Sequence, residues 1–207
     1  LTGYVVELSL SMDNVFVIAL IFEHLKIPLI YQHRVLFWGI LGALVMRGLM
    51  IGIGAQLVER YHWILLVFGA FLVFTGLKML FSSAAEKEAE VESVITKWLR
   101  RHFPVTDQFH GQHFAVRLGG QWVLTPLAIA LVLVETTDLI FAVDSIPAIF
   151  AITADPFLVF TSNVFAILCL RSLYFGLAGL IARFRHLKVS LAIVLTIVGV
   201  KMLGGRA

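Results

Sequence analysis

Five acidic side chains lie inside segments that are otherwise apolar enough to cross a lipid bilayer. They fall in two stretches, with Glu7 and Asp13 in the first and Glu135, Asp138 and Asp144 in the second. A carboxylate near the centre of a bilayer costs about 3 kcal/mol even on the lenient insertion scale, and such residues commonly mark ion paths or proton relays. The alternative is structural pairing with the scattered bases Arg47, Lys78, Arg171 and Lys201. Because the acids cluster and the bases do not, the pattern favours a functional site.

The composition places the chain in a membrane rather than in water. Hydrophobic residues make up 60% of its 207 residues and charged residues 14%. Apolar runs of roughly 20 residues, the length that crosses a bilayer as a helix, recur along the chain. The single cysteine, Cys169, lies in one of these runs and is typical of a small packing residue. Six transmembrane helices are predicted, at about 3–23, 35–57, 62–81, 124–152, 158–182 and 187–204.

The stretch 82–121 has a different character from the apolar segments around it. An acidic opening is followed by apolar residues at helical spacing, from Val91 to Leu99, which predicts an amphipathic helix at the membrane surface. Two short β-prone segments then flank Gly119 and Gly120, which predicts a β-hairpin. His110 and His113 in this stretch could bind a metal, although loop histidines are more often simply solvated.

Basic residues in the loops predict the orientation. Ten of them fall on the same side as the stretch 82–121 and two, Arg60 and Arg206, fall on the other. Because cytoplasmic loops are enriched in Lys and Arg, the stretch 82–121 is expected in the cytoplasm. The expected location is the inner, or plasma, membrane of a bacterium, crossed several times.

The chain also repeats itself. A Gly-x-Lys-Met-Leu pattern ends the third predicted helix at 76–80 and the sixth at 199–203. One register matches Asp13 to Asp144 and Glu7 to Asp138, while a rival register matches Asp13 to Asp138. Since each half has three helices, the second copy must be inverted, as in many secondary transporters. The predicted fold is an all-α membrane protein of two inverted three-helix repeats, 1–81 and 122–207, joined by the cytoplasmic loop 82–121.

The polar residues of the apolar segments predict a metal site built from oxygen ligands. Carboxylates, amides and hydroxyls suit hard or borderline divalent cations such as Mn²⁺, Mg²⁺ and Ca²⁺. Paired acids six residues apart are separated by about 9 Å along a regular helix, so either the helices unwind, as Pro147 would allow, or the acids form successive stations. The predicted ligands are Glu7, Asp13, Asn14, Glu135, Asp138, Asp144 and Ser145. Arg47 and Arg171 are predicted counter-charges, and Asn163 could add an amide.

At two segments the chain resembles the TerC family of integral membrane proteins, and within it the bacterial Alx-like branch. The matching residues are Ser-Leu-Ser-Met-Asp-Asn-Val-Phe-Val at 9–17 and Thr-Asp-Leu-Ile-Phe-Ala-Val-Asp-Ser-Ile-Pro-Ala-Ile-Phe-Ala-Ile-Thr at 137–153. The resemblance implies metal-ion export, with Mn²⁺ as the leading substrate, and a link to tellurium resistance. It also implies further helices on both sides of the printed sequence.

Two other functions compete with cation export. A membrane scaffold or assembly factor of the TerC type would need no acidic cluster. An intramembrane aspartyl protease would need a Gly-x-Gly-Asp type of motif, which lies beside none of the five acids. The expected protein is therefore not an enzyme. Its expected partners are a divalent cation and the lipid bilayer, with no nucleic acid and no cofactor besides the transported metal.

Overall fold

The chain is mostly helical and carries one small hairpin. The computed structural model describes residues 14–61, 63–81, 84–150, 153, 155–177 and 200. The elements are α1 (Asn14–His24), α2 (Leu29–Arg60), α3 (Ile64–Phe81), α4 (Ala84–His102), β1 (Ala115–Leu118), β2 (Gln121–Leu124), α5 (Pro126–Phe150) and α6 (Pro156–Leu177). Helices therefore occur in the described parts of the first five predicted transmembrane segments, of which the first is described only from residue 14. The sixth, 187–204, lies outside the described residues apart from residue 200, so the inverted repeat stays a prediction.

Within the part of the chain that the structure describes, two helices, α2 and α5, are long and apolar enough to cross a membrane by length and composition. Helix α2 begins at Leu29, six residues before the predicted start at 35. Pro28 precedes it, and proline suits a helix start because it has no N–H to leave unbonded. The first turn contains Gln32, a polar residue that the sequence alone would place in a loop. In the structure Gln32 is buried and accepts a hydrogen bond from the Tyr174 hydroxyl of α6 at 2.8 Å.

The turn between α1 and α2 closes through a left-handed residue. Lys26 has φ 52°, and the Ile27 N–H donates to the Phe22 carbonyl at 2.9 Å, which is the Schellman pattern at a helix C-terminus. Phe22 and Ile27 are both buried, so an apolar contact accompanies the turn. Glycine is usual at the left-handed position because a side chain there is disfavoured.

The helices pack around α2 and α5. Helix α2 lies mainly against α5 and α6, and α5 also contacts α3 and α4. One apolar cluster joins α1 to the first halves of α2 and α5, and includes Phe22, Leu36 and Leu133. A second joins the later halves of α2 and α5 to α6, and includes Ile51 and Val159. Along both α2 and α5 a polar layer lies between these two clusters.

The segment between α3 and α5 contains the predicted amphipathic helix and the predicted hairpin. In α4, Leu99 is buried against the first apolar cluster while Val94 and Trp98 are exposed. Strands β1 and β2 are antiparallel, and both turn residues, Gly119 and Gly120, have positive φ, as a tight two-residue hairpin requires. Both sequence predictions are confirmed as local structure.

This segment is attached to the start of α2. The Arg34 guanidinium lies over the Phe114 ring at 5.5 Å and donates to Gln112 at 3.5 Å. The rings of Tyr31 and Phe109 lie 6.0 Å apart. The hairpin and the loop before it are thus fixed to the helix bundle at the end of the molecule where α2 begins.

Candidate functional site: a buried polar layer

An ion pair between α2 and α5 forms the centre of the polar layer. Arg47 is 2% exposed, and its Nε and Nη2 donate to Oδ2 and Oδ1 of Asp138 at 3.1 and 2.8 Å. This two-bonded geometry is the strongest form of arginine–carboxylate contact. Asp138 lies at the midpoint of α5, and Arg47 lies near the middle of α2. Removing either partner of a buried pair typically costs about 3–5 kcal/mol, because the remaining charge is left uncompensated.

Two asparagines extend the layer to α1 and α6. Asn14 donates from Nδ2 to Asp138 Oδ1 at 3.1 Å, which brings α1 into contact with α5. Asn163 accepts from Arg47 Nη1 at 2.9 Å and donates its own Nδ2 to the Val159 carbonyl at 3.0 Å. The layer therefore takes one side chain from each of four helices. Both asparagines are buried.

Glu135 lies one helical turn before Asp138 and packs against α2 at a position that has no side chain. Its carboxylate lies against Gly42, where an added Cβ would collide with the carboxylate oxygens. A side chain at position 42 would therefore require the Glu135 carboxylate to move, and the constraint comes from close approach rather than from backbone conformation. The two acids share a face of α5, since residues three apart are neighbours on a helix surface.

Three oxygen atoms in or near this layer are buried without a hydrogen bond from any described residue. They are Asn14 Oδ1, Glu135 Oε2 and Ser145 Oγ. Such atoms are uncommon because an unsatisfied buried polar atom costs about 1–3 kcal/mol. By contrast, the hydroxyls of Thr136 and Thr137 donate to carbonyls one turn back in α5 at 2.7 Å. The three unsatisfied oxygens belong to residues that the sequence predicts as metal ligands.

A cleft borders Asp138. The cleft, measured together with its opening to solvent, has a volume of about 400 Å³. The polar lining residues are Asn14, Thr137 and Asp138, and the rest of the lining is apolar, from Ile18, Leu36, Gly39, Ile40, Ala43, Val134, Phe141 and Ile167. Asp138 and Asn14 therefore border a small cleft whose wall is mostly apolar.

The structure brings some of the predicted site residues together and leaves others undescribed. Hydrogen bonds link four of them: Asn14 and Arg47 both donate to Asp138, and Arg47 also donates to Asn163. Ser145 is buried two turns beyond Asp138 on α5. Glu7 and Asp13, and the side chains of Asp144 and Arg171, lie outside the described part of the chain. Within that part, no cluster of three His, Cys, Asp or Glu side chains is placed to hold a metal, and this includes His110 and His113.

Helix α5 decides one alternative that the sequence leaves open. It is continuous from Pro126 to Phe150, with Pro147 inside it. The helix therefore does not unwind between Asp138 and Asp144, and a single ion cannot contact both from this segment. On α5 the two acids lie at successive levels of the bundle.

Comparison with known proteins decides the family. The family model described as "Integral membrane protein TerC family" matches residues 1–206. The chain belongs to the TerC family. It is accordingly a membrane protein, and the ion pair between Arg47 and Asp138 lies near the middle of the two described helices of membrane length.

Relatives of this TerC protein occur in several bacteria. "Uncharacterized membrane protein STKORF319" of Myxococcus xanthus is 52% identical over 98% of this chain and 63% of its own length. "Putative membrane-bound redox modulator Alx" of Escherichia coli (strain K12) is also 52% identical, with the same two coverages. The chain thus spans about 63% of the length of these relatives. No solved structure matches it.

Two features of the site were missed by reasoning from the sequence. The first is Gly42, whose signal is the run of small residues Gly39, Gly42 and Ala43 on one face of α2. The second is that the Asn163 amide binds Arg47. No sequence signal separates that role from direct ligation, because both use the same carbonyl oxygen.

Proposed function

We propose that this TerC protein is the transmembrane core of a divalent-cation exporter, with Mn²⁺ as its preferred substrate. The observation that carries the proposal is the half-buried carboxylate of Asp138 at the midpoint of a membrane-length helix, beside an amide oxygen that accepts no hydrogen bond from the described residues. A charge at that depth is costly, and membrane proteins retain such groups for ion or proton movement. A small cleft adjoins it.

The donor atoms support a hard or borderline cation. Asp138, Glu135 and Asn14 offer carboxylate and amide oxygens, and Ser145 offers a hydroxyl two turns further along α5; Mn²⁺, Mg²⁺ and Ca²⁺ accept all of these ligand types. A site for Cu⁺ would be expected to present thiolate or thioether ligands instead. The preference for Mn²⁺ over Mg²⁺ and Ca²⁺ rests on the family resemblance rather than on the donor set.

The charges of the layer support exchange of the cation against protons. Arg47 neutralises Asp138, whereas Glu135 Oε2 is buried with no hydrogen-bond partner among the described residues. A buried carboxylate without compensation is strongly unfavourable, and either a proton or a cation removes that cost. Glu135 would then hold a proton when the cation leaves and release it when the cation returns.

Intracellular manganese tests this function. The full-length protein is expressed in cells that lack their own manganese exporter, and total cell manganese is measured by mass spectrometry after growth in added Mn²⁺. Wild type should lower the manganese content, and Asp138→Asn should not. Asp13→Asn and Asp144→Asn, at the acids predicted from sequence, should behave like Asp138→Asn.

The matched control is Asp155→Asn. Asp155 is exposed and caps α6 by accepting from the Phe157 N–H at 2.9 Å, a role that asparagine also fills. This variant should export like wild type. If Asp138→Asn lowers cell manganese as well as wild type at equal protein level, the exporter proposal is wrong. A membrane scaffold or assembly factor would then be the better account.

A further inference from the structure

Among the described residues, the guanidinium of Arg47 is shared between two acceptors on different helices. Nε and Nη2 bind the Asp138 carboxylate on α5, and Nη1 binds the Asn163 carbonyl oxygen on α6. The Asn163 amide is oriented for this by its own bond to the Val159 carbonyl, since the NH₂ group faces the helix and the oxygen faces Arg47. The two acceptors differ in charge. Asp138 offers a carboxylate and Asn163 a neutral amide.

The contacts of Arg47 take up one acceptor position on each carboxylate oxygen of Asp138. Both carboxylate oxygens accept from Arg47, and Oδ1 also accepts from Asn14. A divalent cation binds carboxylate oxygens at about 2.2 Å, which would place it within a few ångströms of the guanidinium. Like charges at that separation in a site of low dielectric repel strongly. The ion and the arginine therefore exclude each other on Asp138.

We propose that Arg47 is a tethered competitor of the transported cation for Asp138, and that Asn163 anchors the guanidinium when the cation displaces it. This inference rests on the proposed export function and adds a release device to it. When the cation is absent, Arg47 neutralises Asp138. When the cation arrives, Arg47 retains the Asn163 bond, so the buried guanidinium keeps an acceptor. Its return to Asp138 drives the cation off the site.

Asn163 is a positioning residue in this scheme, because it acts on the cation only through Arg47. Its burial supports the role: Asn163 is 1% exposed, and its polar groups are bonded to Arg47 and to Val159. Both partners are held by packed helices, α2 and α6, which lie against each other. A loss of the Asn163 acceptor should leave Arg47 more dependent on Asp138 and should weaken cation binding.

The test measures Mn²⁺ flux in proteoliposomes of the full-length protein over a range of Mn²⁺ concentrations, so that KM and maximal rate are separated. Asn163→Leu, which keeps the side-chain size, should raise the KM for Mn²⁺ about threefold to tenfold. Arg47→Gln should lower the KM and also lower the maximal rate, because the competitor that releases the ion is gone. In the Arg47→Gln background, Asn163→Leu should leave KM unchanged.

Several outcomes would overturn the inference. A raised KM in Arg47→Gln would mean that Arg47 only orients Asp138. An equal effect of Asn163→Leu with and without Arg47 would mean that Asn163 contacts the cation itself. If Arg47→Gln fails to fold, the inference is tested with two variants of Asn163. Asn163→Leu should raise the KM for Mn²⁺. Asn163→Asp should lower it, because the new carboxylate draws Arg47 away from Asp138. Shifts of both in the same direction, or no shift, would contradict the scheme.

The same preparation separates this inference from the export function. Wild type and Asp138→Asn are measured alongside. Flux that depends on Asp138 supports export, and the Asn163 and Arg47 variants then judge the release device alone. Absence of flux in wild type would overturn export first, and the release device with it.

Discussion

The contact between Gly42 and Glu135 can be tested by adding a single methyl group. A Cβ at Gly42 would collide with the Glu135 carboxylate, whereas a Cβ at Gly52, on the same helix, meets no atom of the described residues within 4 Å. Gly42→Ala and Gly52→Ala are therefore the same chemical change, made at position 42 where another side chain occupies the space and at position 52 where none of the described residues does. The first should displace Glu135 and the second should not.

The two substitutions should change the free energy of unfolding differently. Alanine in place of a glycine inside a helix stabilises it by about 1 kcal/mol. Gly52→Ala should show this gain in full. Overpacking a filled site costs about 1–3 kcal/mol, so Gly42→Ala should be neutral or destabilising by up to about 2 kcal/mol. Replacing Glu135 by alanine removes the collision, and in that background Gly42→Ala should again stabilise by about 1 kcal/mol.

The assay is unfolding of the full-length protein in mixed micelles with increasing dodecyl sulfate, followed by tryptophan fluorescence. Wild type, Gly42→Ala, Glu135→Ala and the double variant give the coupling between positions 42 and 135, and Gly52→Ala is the control. We expect a coupling of about 1–3 kcal/mol. The reasoning would be refuted if Gly42→Ala stabilised the protein as much as Gly52→Ala, or if its effect were the same with and without Glu135.

Three further predictions concern stability and topology. Lys26→Gly should stabilise the protein by about 1 kcal/mol, because glycine adopts φ 52° without strain; an unchanged or lower unfolding midpoint would contradict this. Tyr174→Phe should destabilise it by about 1–3 kcal/mol, because the buried Gln32 oxygen loses its donor, and an unchanged midpoint in the same unfolding assay would argue against it. A cysteine at the exposed Gln108 should resist membrane-impermeant thiol reagents in intact cells, as the basic bias of the loops predicts, while ready labelling would reverse the orientation.

The sequence was sufficient to predict the local elements and the existence of a polar site. A charge such as Asp138 within an apolar helix is visible in the sequence because its cost is local. The hairpin is equally local, since Gly119 and Gly120 supply the positive φ values that its turn requires. The start of α2 was misplaced because Gln32 is polar, and its burial depends on Tyr174, which is 142 residues away.

The pairing within the site could not be predicted, because it depends on how helices face one another. The sequence predicts that Arg47 is a counter-charge but not which acidic residue it pairs with, and the structure pairs it with Asp138. It allows α5 to unwind near Pro147, but the helix continues through that residue. The role of Gly42 depends on the rotation of α2 relative to α5, which no local pattern encodes. The matching of Asp13 to Asp144, and of Glu7 to Asp138, stays a prediction.

The most direct test of the central claim is Mn²⁺ flux through the purified full-length protein. Proteoliposomes are loaded with a fluorophore that Mn²⁺ quenches, and the initial rate is compared among wild type, Asp138→Asn and the control Asp155→Asn. If Asp138 carries the transport site, quenching should be rapid with wild type and Asp155→Asn, and no faster than in protein-free liposomes with Asp138→Asn. Equal rates for wild type and Asp138→Asn would contradict it.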